Sequence, residues 1–222
     1  MLLSWLHRNP FCVVFVAAAF CSTAPFTVHA QLSPIQPGAV QPEIAPHASG
    51  APAEKLKIAG VPNAGKVSDV LFRGAQPSAQ GLAEMKKLGV TIVVDLRGNR
   101  GPVQRERVEV EALGMRFIDI PVPATSPPTN AQVAQFLSLF QDQPGQRVFV
   151  HCYYGSDRSG VMVAAYRMAQ QHWTPDQAAS EMNSFGFHYH LYAAMKSYVQ
   201  KFPANYAGEP IFASLRTAAA PR

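Results

Sequence analysis

His151-Cys152-Tyr153-Tyr154-Gly155-Ser156-Asp157-Arg158-Ser159-Gly160 is the stretch from which the rest of this 222-residue chain can be read. It follows Val148-Phe149-Val150, a short apolar run typical of a buried central strand. From Ser159 the pattern turns helical through Val161, Met162, Ala165, Tyr166 and Met168. The loop therefore joins a strand end to a helix start. A loop wrapping into a helix N-terminus aims several backbone N–H groups at one point, where the helix dipole also favours negative charge. Arg158 adds a planar two-pronged donor suited to a phosphate dianion, which Lys does not reproduce. The same field favours the thiolate of Cys152, and the thiolate is the form that acts as a nucleophile.

Outward from this loop, short β-rich runs at residues 70–73, 91–96, 115–121 and 148–151 alternate with helical patterns. Leu82, Met85 and Leu88 form an apolar stripe that stops at Gly89, and a charged helix over 103–113 stops at Gly114. Asn130 is placed to cap a helix with Val133, Phe136, Leu137 and Phe140 on its apolar face, and Thr174-Pro175 opens another that carries Ala178, Ala179 and Met182. A last helix over 191–202 carries Leu191, Met195, Tyr198, Val199 and Phe202. The expectation is an α/β fold: a central, mostly parallel sheet of four to five strands flanked by helices.

The ends read differently. His7 and Arg8, an uncharged apolar run over 11–21 and the small-residue pattern Val28-His29-Ala30 predict a signal peptide over residues 1–30 and an exported, periplasmic or secreted product. The apolar run is far short of the ~20 residues a spanning helix needs, so no stable membrane anchor is expected after cleavage. Residues 31–54, with Pro34, Pro37, Pro42, Pro46 and Pro52, predict a flexible linker; residues 55–206 the folded domain; and residues 207–222 a disordered tail.

Losing Arg8 with the leader leaves 18 basic against 14 acidic residues, a mild +4. Arg100, Arg105 and Arg107 alternate with Glu106, Glu109 and Glu111 as on a solvated helix face, so no nucleic-acid partner is expected. Cys12 and Cys21 leave with the leader, and Cys152 has no partner for an internal disulfide. A lone thiol in an oxidising compartment is either buried and inert or used as a nucleophile, and its neighbours favour use.

The pattern His-Cys-x5-Arg-Ser-Gly resembles the signature of the protein tyrosine and dual-specificity phosphatase superfamily. Phe72-Arg73-Gly74-Ala75-Gln76-Pro77-Ser78 is similar to the first strand and turn of bacterial and atypical dual-specificity members, and Val93-Val94-Asp95-Leu96-Arg97 to their second marker strand. Glu181-Met182 and Phe185-Gly186-Phe187 resemble their C-terminal helices, so the likeness spans nearly all of residues 60–203. It implies a dual-specificity-phosphatase-like fold with no cofactor and no metal. Its phosphate-binding loop would hold Tyr153, Tyr154, Gly155, Ser156, Asp157 and Arg158. Cys152 would form a thiophosphate intermediate, Arg158 would clamp the equatorial oxygens, Ser159 would hydrogen-bond the sulfur during hydrolysis, and His151 would orient the loop from behind. Arg73, Asp95 and Arg97 read as charged residues at strand ends that pair to hold loops in place.

Family members bring a general acid on a separate loop after the third strand, and here residues 122–130 contain no acid. Asp157 inside the loop is the favoured donor, as in the Cys-x2-Gly-x-Asp-Arg variant of myotubularin-type enzymes. Asp119 and no side-chain acid at all are the alternatives. The variable loop positions carry no cation, which favours phosphotyrosine or dual-specificity protein substrates, or a small phosphate monoester, over phosphoinositides or inositol phosphates. Tyr153 and Tyr154 either stack on a phosphotyrosine ring or pack into the domain. His188 and His190 are placed to line the site, but two His at this spacing do not make a zinc ligand set. A rhodanese-like sulfurtransferase and a catalytically silent phospho-ligand binding module are the rival classes. Nothing in the sequence bears on oligomeric state.

Overall fold

The computed structural model describes residues 50–98, 100–141 and 145–218. The expected leader and most of the expected linker lie outside the described residues. In chain order the elements are β1 (Glu54–Lys55), β2 (Gly65–Lys66), β3 (Leu71–Gly74), α1 (Ala79–Lys87), β4 (Ile92–Asp95), α2 (Arg100–Ala112), β5 (Arg116–Asp119), α3 (Asn130–Leu137), β6 (Val148–His151), α4 (Asp157–Gln171), α5 (Pro175–Ser184), α6 (Ala193–Gly208) and α7 (Ala213–Ala218).

The strands form one sheet in the order β1-β2-β3-β6-β4-β5. Strands β3, β6, β4 and β5 run parallel, and the two-residue strands β1 and β2 extend the β3 edge antiparallel, beyond the four or five strands expected. Such short strands carry no alternating pattern to read. Every residue of β3, β4 and β6 is buried, because helices cover both faces of the parallel part. Side-chain alternation sorts them. Phe72, Val93 and Phe149 face a layer with Leu82 and Met85 of α1 and Val103 and Val110 of α2. Leu71, Val94, Val148 and Val150 face the larger layer with Phe136, Met162, Met182, Met195 and Phe202.

The last strand in sequence lies at the centre of the parallel set. The chain leaves β5 at the sheet edge, passes through α3 and returns to lie between β3 and β4. Gly74 and Asp95 both register with His151, so the end of β6 is flanked by two other strand ends. In open α/β sheets that crevice at the carboxyl ends, where strand order reverses, is where ligands bind.

Local chemistry explains the helix starts. Ser78 accepts from Gly81 N, and Thr129 with Gln132 and Thr174 with Gln177 form capping boxes. The α3 cap is thus Thr129, one residue before the expected Asn130.

Two expected boundaries are corrected. Residues 207–218 are not a disordered tail: α6 continues to Gly208, and Phe212 and Leu215 are buried against α6 within the larger core layer. Phe212 ends a three-residue turn and Leu215 lies in the six-residue α7, too short a stretch to show a periodic pattern. At the other end the domain begins before residue 55, since Ala53 N donates to Glu181 Oε2 at 2.7 Å and Glu54 pairs with Lys66. Leu191, placed at the start of the last helix, is 72% exposed in the turn before it. No helix among the described residues is long and apolar enough to cross a membrane.

If the C-terminal segment is integral, Phe212→Ala will lower unfolding free energy by about 3–5 kcal/mol, as for other buried Phe truncations. Urea denaturation of the purified protein measures it.

Candidate active site

The loop leaving β6 is held in shape from behind by Arg73. Arg73 is fully buried at the end of β3; its Nη2 donates to the Gly155 carbonyl at 2.8 Å and to that of Ser156 at 3.4 Å, and its guanidinium stacks 4.1 Å from the Phe185 ring centre. Burial pushes this Arg down to about 10, against the pull of Glu181 and Cys152, so it remains cationic at neutral pH. A peptide unit carries its C=O and N–H on opposite sides. Drawing these carbonyls inward to Arg73 therefore turns the loop's amides toward its mouth, an arrangement of donors that suits an anion.

Gly155 permits this path twice over. Its φ is +70°, and a Cβ there would lie 2.3 Å from the Gly74 carbonyl carbon and 2.4 Å from Ala75 N. Gln76 N also donates to the Tyr153 carbonyl at 3.2 Å, and Asn63 Nδ2 to that of Tyr154 at 3.2 Å. Two segments, Asn63 and residues 73–76, therefore clamp the loop.

Cys152 sits at the floor, 2% exposed, directly after β6. Arg158, in the first turn of α4, is partly buried with Nη1 3.2 Å from the Leu96 carbonyl beyond β4. Ser159 is fully buried and its Oγ has no hydrogen-bond partner among the described residues, so this hydroxyl is available to a group in the loop. Tyr153 and Tyr154 stand in solvent, 57% and 65% exposed, edge to face at 4.7 Å. They are walls of the site and not packing residues.

Asp157 is engaged on both oxygens. Ser156 Oγ donates to Oδ2 at 2.8 Å, His188 N donates to Oδ1 at 2.9 Å, and His188 Nδ1 lies 3.0–3.1 Å from both. His188 comes from the turn between α5 and α6 and is half-exposed. With Tyr154, Ser156, Phe185, Leu191 and Tyr192 it lines a cavity of about 570 Å³ beside the loop. His190 lines a neighbouring cleft with His188 and Tyr189. Asp119 ends β5 and registers with Asp95, which registers with His151, so it lies two strands from the loop, on the order of 10 Å across the sheet. Burial raises its carboxyl above the usual range, and Asp95 adds to the shift.

Behind Cys152, His151 is fully buried with Nε2 2.7 Å from Glu106 Oε1, near in distance but off the hydrogen-bond line. Arg97 Nη2 bridges Asp95 Oδ2 at 2.7 Å and Glu106 Oε2 at 2.5 Å. Burial opposes the Arg97 charge, but the two carboxylates outweigh it. Asp95, Glu106 and His151 stand close enough to share a cation, yet the guanidinium already supplies the positive charge between the carboxylates. Glu106 is the residue that the sequence reading missed, having been assigned to a solvated face. The signal was present: Val103, Glu106 and Val110 follow the helical spacing of one inward face, and all three are buried.

Residues 59–197 match the family described as DSP-PTPase phosphatase fused to NAD+ kinase. The chain belongs to this phosphatase family. It is 32% identical over 116 residues to dual specificity protein phosphatase 26 of Mus musculus, covering 50% of this chain and 54% of that protein. To the dual specificity protein phosphatase TpbA of Pseudomonas aeruginosa it is 29% identical over 126 residues, covering 55% and 54%. It thus spans about half the length of the curated relatives it matches. The crystal structure of a Cys-to-Ser variant of P. aeruginosa TpbA in complex with phosphotyrosine superposes with a TM-score of 0.57 at 26% identity, covering 78% of this chain and 99% of that one. Family membership sets aside the sulfurtransferase reading.

Gly155→Ala will collapse the loop, because the new Cβ meets the Gly74 backbone and a non-glycine residue in the left-handed region costs about 1–2 kcal/mol in addition. The expected result is loss of vanadate binding by calorimetry together with a lowered melting temperature.

Proposed function

We propose that this chain hydrolyses phosphate monoesters, with phosphotyrosine or dual-specificity protein substrates first among them, through a cysteinyl-phosphate intermediate. The observation that carries the reading is Cys152 at the floor of a loop whose carbonyls are tied back to Arg73 and whose other end is Arg158 at the start of α4. The phosphate enters with its oxygens on the loop amides and on the Arg158 guanidinium. The Cys152 sulfur attacks phosphorus opposite the leaving oxygen, forming the S–P bond as the P–O bond breaks. Amide donors fixed before the reaction stabilise the charge that spreads over the equatorial oxygens. Water then attacks phosphorus and releases the sulfur, toward which the buried Ser159 hydroxyl, without a partner among the described residues, donates a hydrogen bond.

Substrate choice rests on the walls. Tyr153 and Tyr154 rise in solvent beside the loop, and the adjoining cavity is lined by Phe185, Leu191 and Tyr192. Aromatic walls suit the ring of phosphotyrosine, and none of the variable loop positions is a cation that would select a polyphosphate. The TpbA complex with phosphotyrosine supports the same class. The leader pattern of residues 1–30 supports action after export, in the periplasm or outside the cell.

Cys152→Ser will abolish hydrolysis of phosphotyrosine peptides while vanadate still binds, because the loop amides survive and the hydroxyl is a poor nucleophile. Arg158→Lys will weaken both, since a point charge does not replace the two-pronged donor. Substantial turnover by the serine variant sinks the covalent mechanism.

A further inference from the structure

The customary acid loop holds no carboxyl group, and Asp157 is already committed. Its Oδ1 accepts the backbone N–H of His188, a group that can only donate, and its Oδ2 accepts the Ser156 hydroxyl, so both oxygens act as acceptors. The third contact, His188 Nδ1 at 3.0–3.1 Å, then carries its hydrogen toward the carboxylate. Asp157 is also nearly buried, with a side chain only 10% exposed, whereas that of His188 is 50% exposed. His188 lines the cavity beside the phosphate loop and Asp157 does not, and with Nδ1 held by Asp157 the ring nitrogen left for a ligand is Nε2.

We infer that His188 is the proton donor to the leaving oxygen and that Asp157 is its positioning residue, an inference that rests on the phosphatase reading above. A carboxylate on Nδ1 fixes the ring orientation and stabilises the imidazolium, as an oriented acid–base His requires. As the Cys152 S–P bond forms and the P–O bond breaks, the proton on Nε2 passes to the leaving oxygen, which departs as the neutral alcohol or phenol. In the second half, neutral Nε2 takes a proton from the water that attacks phosphorus. The S–P bond then breaks with its electron pair on sulfur, and both groups return to their starting forms. The Tyr192 ring, edge to face with His188 at 6.1 Å between centres, limits the swing of the imidazole. Through Asp157 this donor is tied to the phosphate loop itself.

The experiment compares the full protein with His188→Gln and Asp157→Asn on phosphotyrosine, a basic leaving group, and on dinitrophenyl phosphate, whose oxygen departs unprotonated. The expected result for His188→Gln is a loss of ~10²- to 10⁴-fold in kcat on phosphotyrosine and under about tenfold on dinitrophenyl phosphate, with vanadate affinity retained. Asp157→Asn is expected to show a loss with the same leaving-group dependence. The inference is overturned if His188→Gln stays within about threefold of the parent on phosphotyrosine, if its loss is equal on the two esters, or if vanadate affinity falls with activity. A leaving-group-dependent loss in Asp119→Asn, absent from His188→Gln, overturns it too. The phosphatase reading fails separately, and only if dinitrophenyl phosphate is not hydrolysed by the parent or is hydrolysed equally by Cys152→Ser.

Discussion

The bond between the Arg73 guanidinium and the Gly155 carbonyl is the constraint on which the site depends. A loop whose amides converge on one point has to send its carbonyls the other way, into the domain, where they need donors. Water does not reach them, and the neighbouring backbone is already used in the sheet. Arg73 meets that demand with Nη2, which serves both carbonyls from the end of the adjacent strand, while its cation lies against the Phe185 ring. A buried cation is costly alone, and the carbonyl and aromatic contacts offset that cost.

From this follows the requirement for Gly155. To put carbonyls on Arg73 the chain must pass against the Gly74–Ala75 backbone with a positive φ, and both conditions exclude a Cβ. Placing β6 between β3 and β4 gives the loop two rigid walls. Through Gly74 one wall brings Arg73 to its back, and through Leu96 the other brings a carbonyl to Arg158. The Asp95–Arg97–Glu106 network beneath His151 stiffens the same strand ends. The loop is thus anchored on a buried, fully paired part of the sheet.

A second set of contacts ties the C-terminal helices to the same centre. Asp157 draws the turn before α6 onto the loop through His188, and Phe185 at the end of α5 covers Arg73. Deeper in the domain, Arg167 of α4 and Glu181 of α5 pair at 2.6 Å, fully desolvated, and Glu181 also receives Ala53 N. The beginning of the domain is thus tied through Glu181 of α5 to α4, the helix whose first turn carries Arg158.

Local sequence pattern sufficed for the parallel core and for the candidate anion loop. A thiol and a guanidinium six positions apart at a strand-to-helix junction already define an anion loop, and the apolar runs around 92–95 and 148–151 are buried strands in the structure, because local pattern dictates local conformation. It did not determine what holds the loop or what feeds it protons. Gly155 and Arg73 are 82 positions apart, and His188 lies 31 beyond Asp157. Glu106 was legible on its helix face, yet its hydrogen bond to Arg97 was not. Such pairs have no local signature, since a charged side chain reads the same whether it meets solvent or a buried partner. Only the return of β6 to the centre of the sheet, and the packing of α5 and α6 back over it, bring them within hydrogen-bond reach.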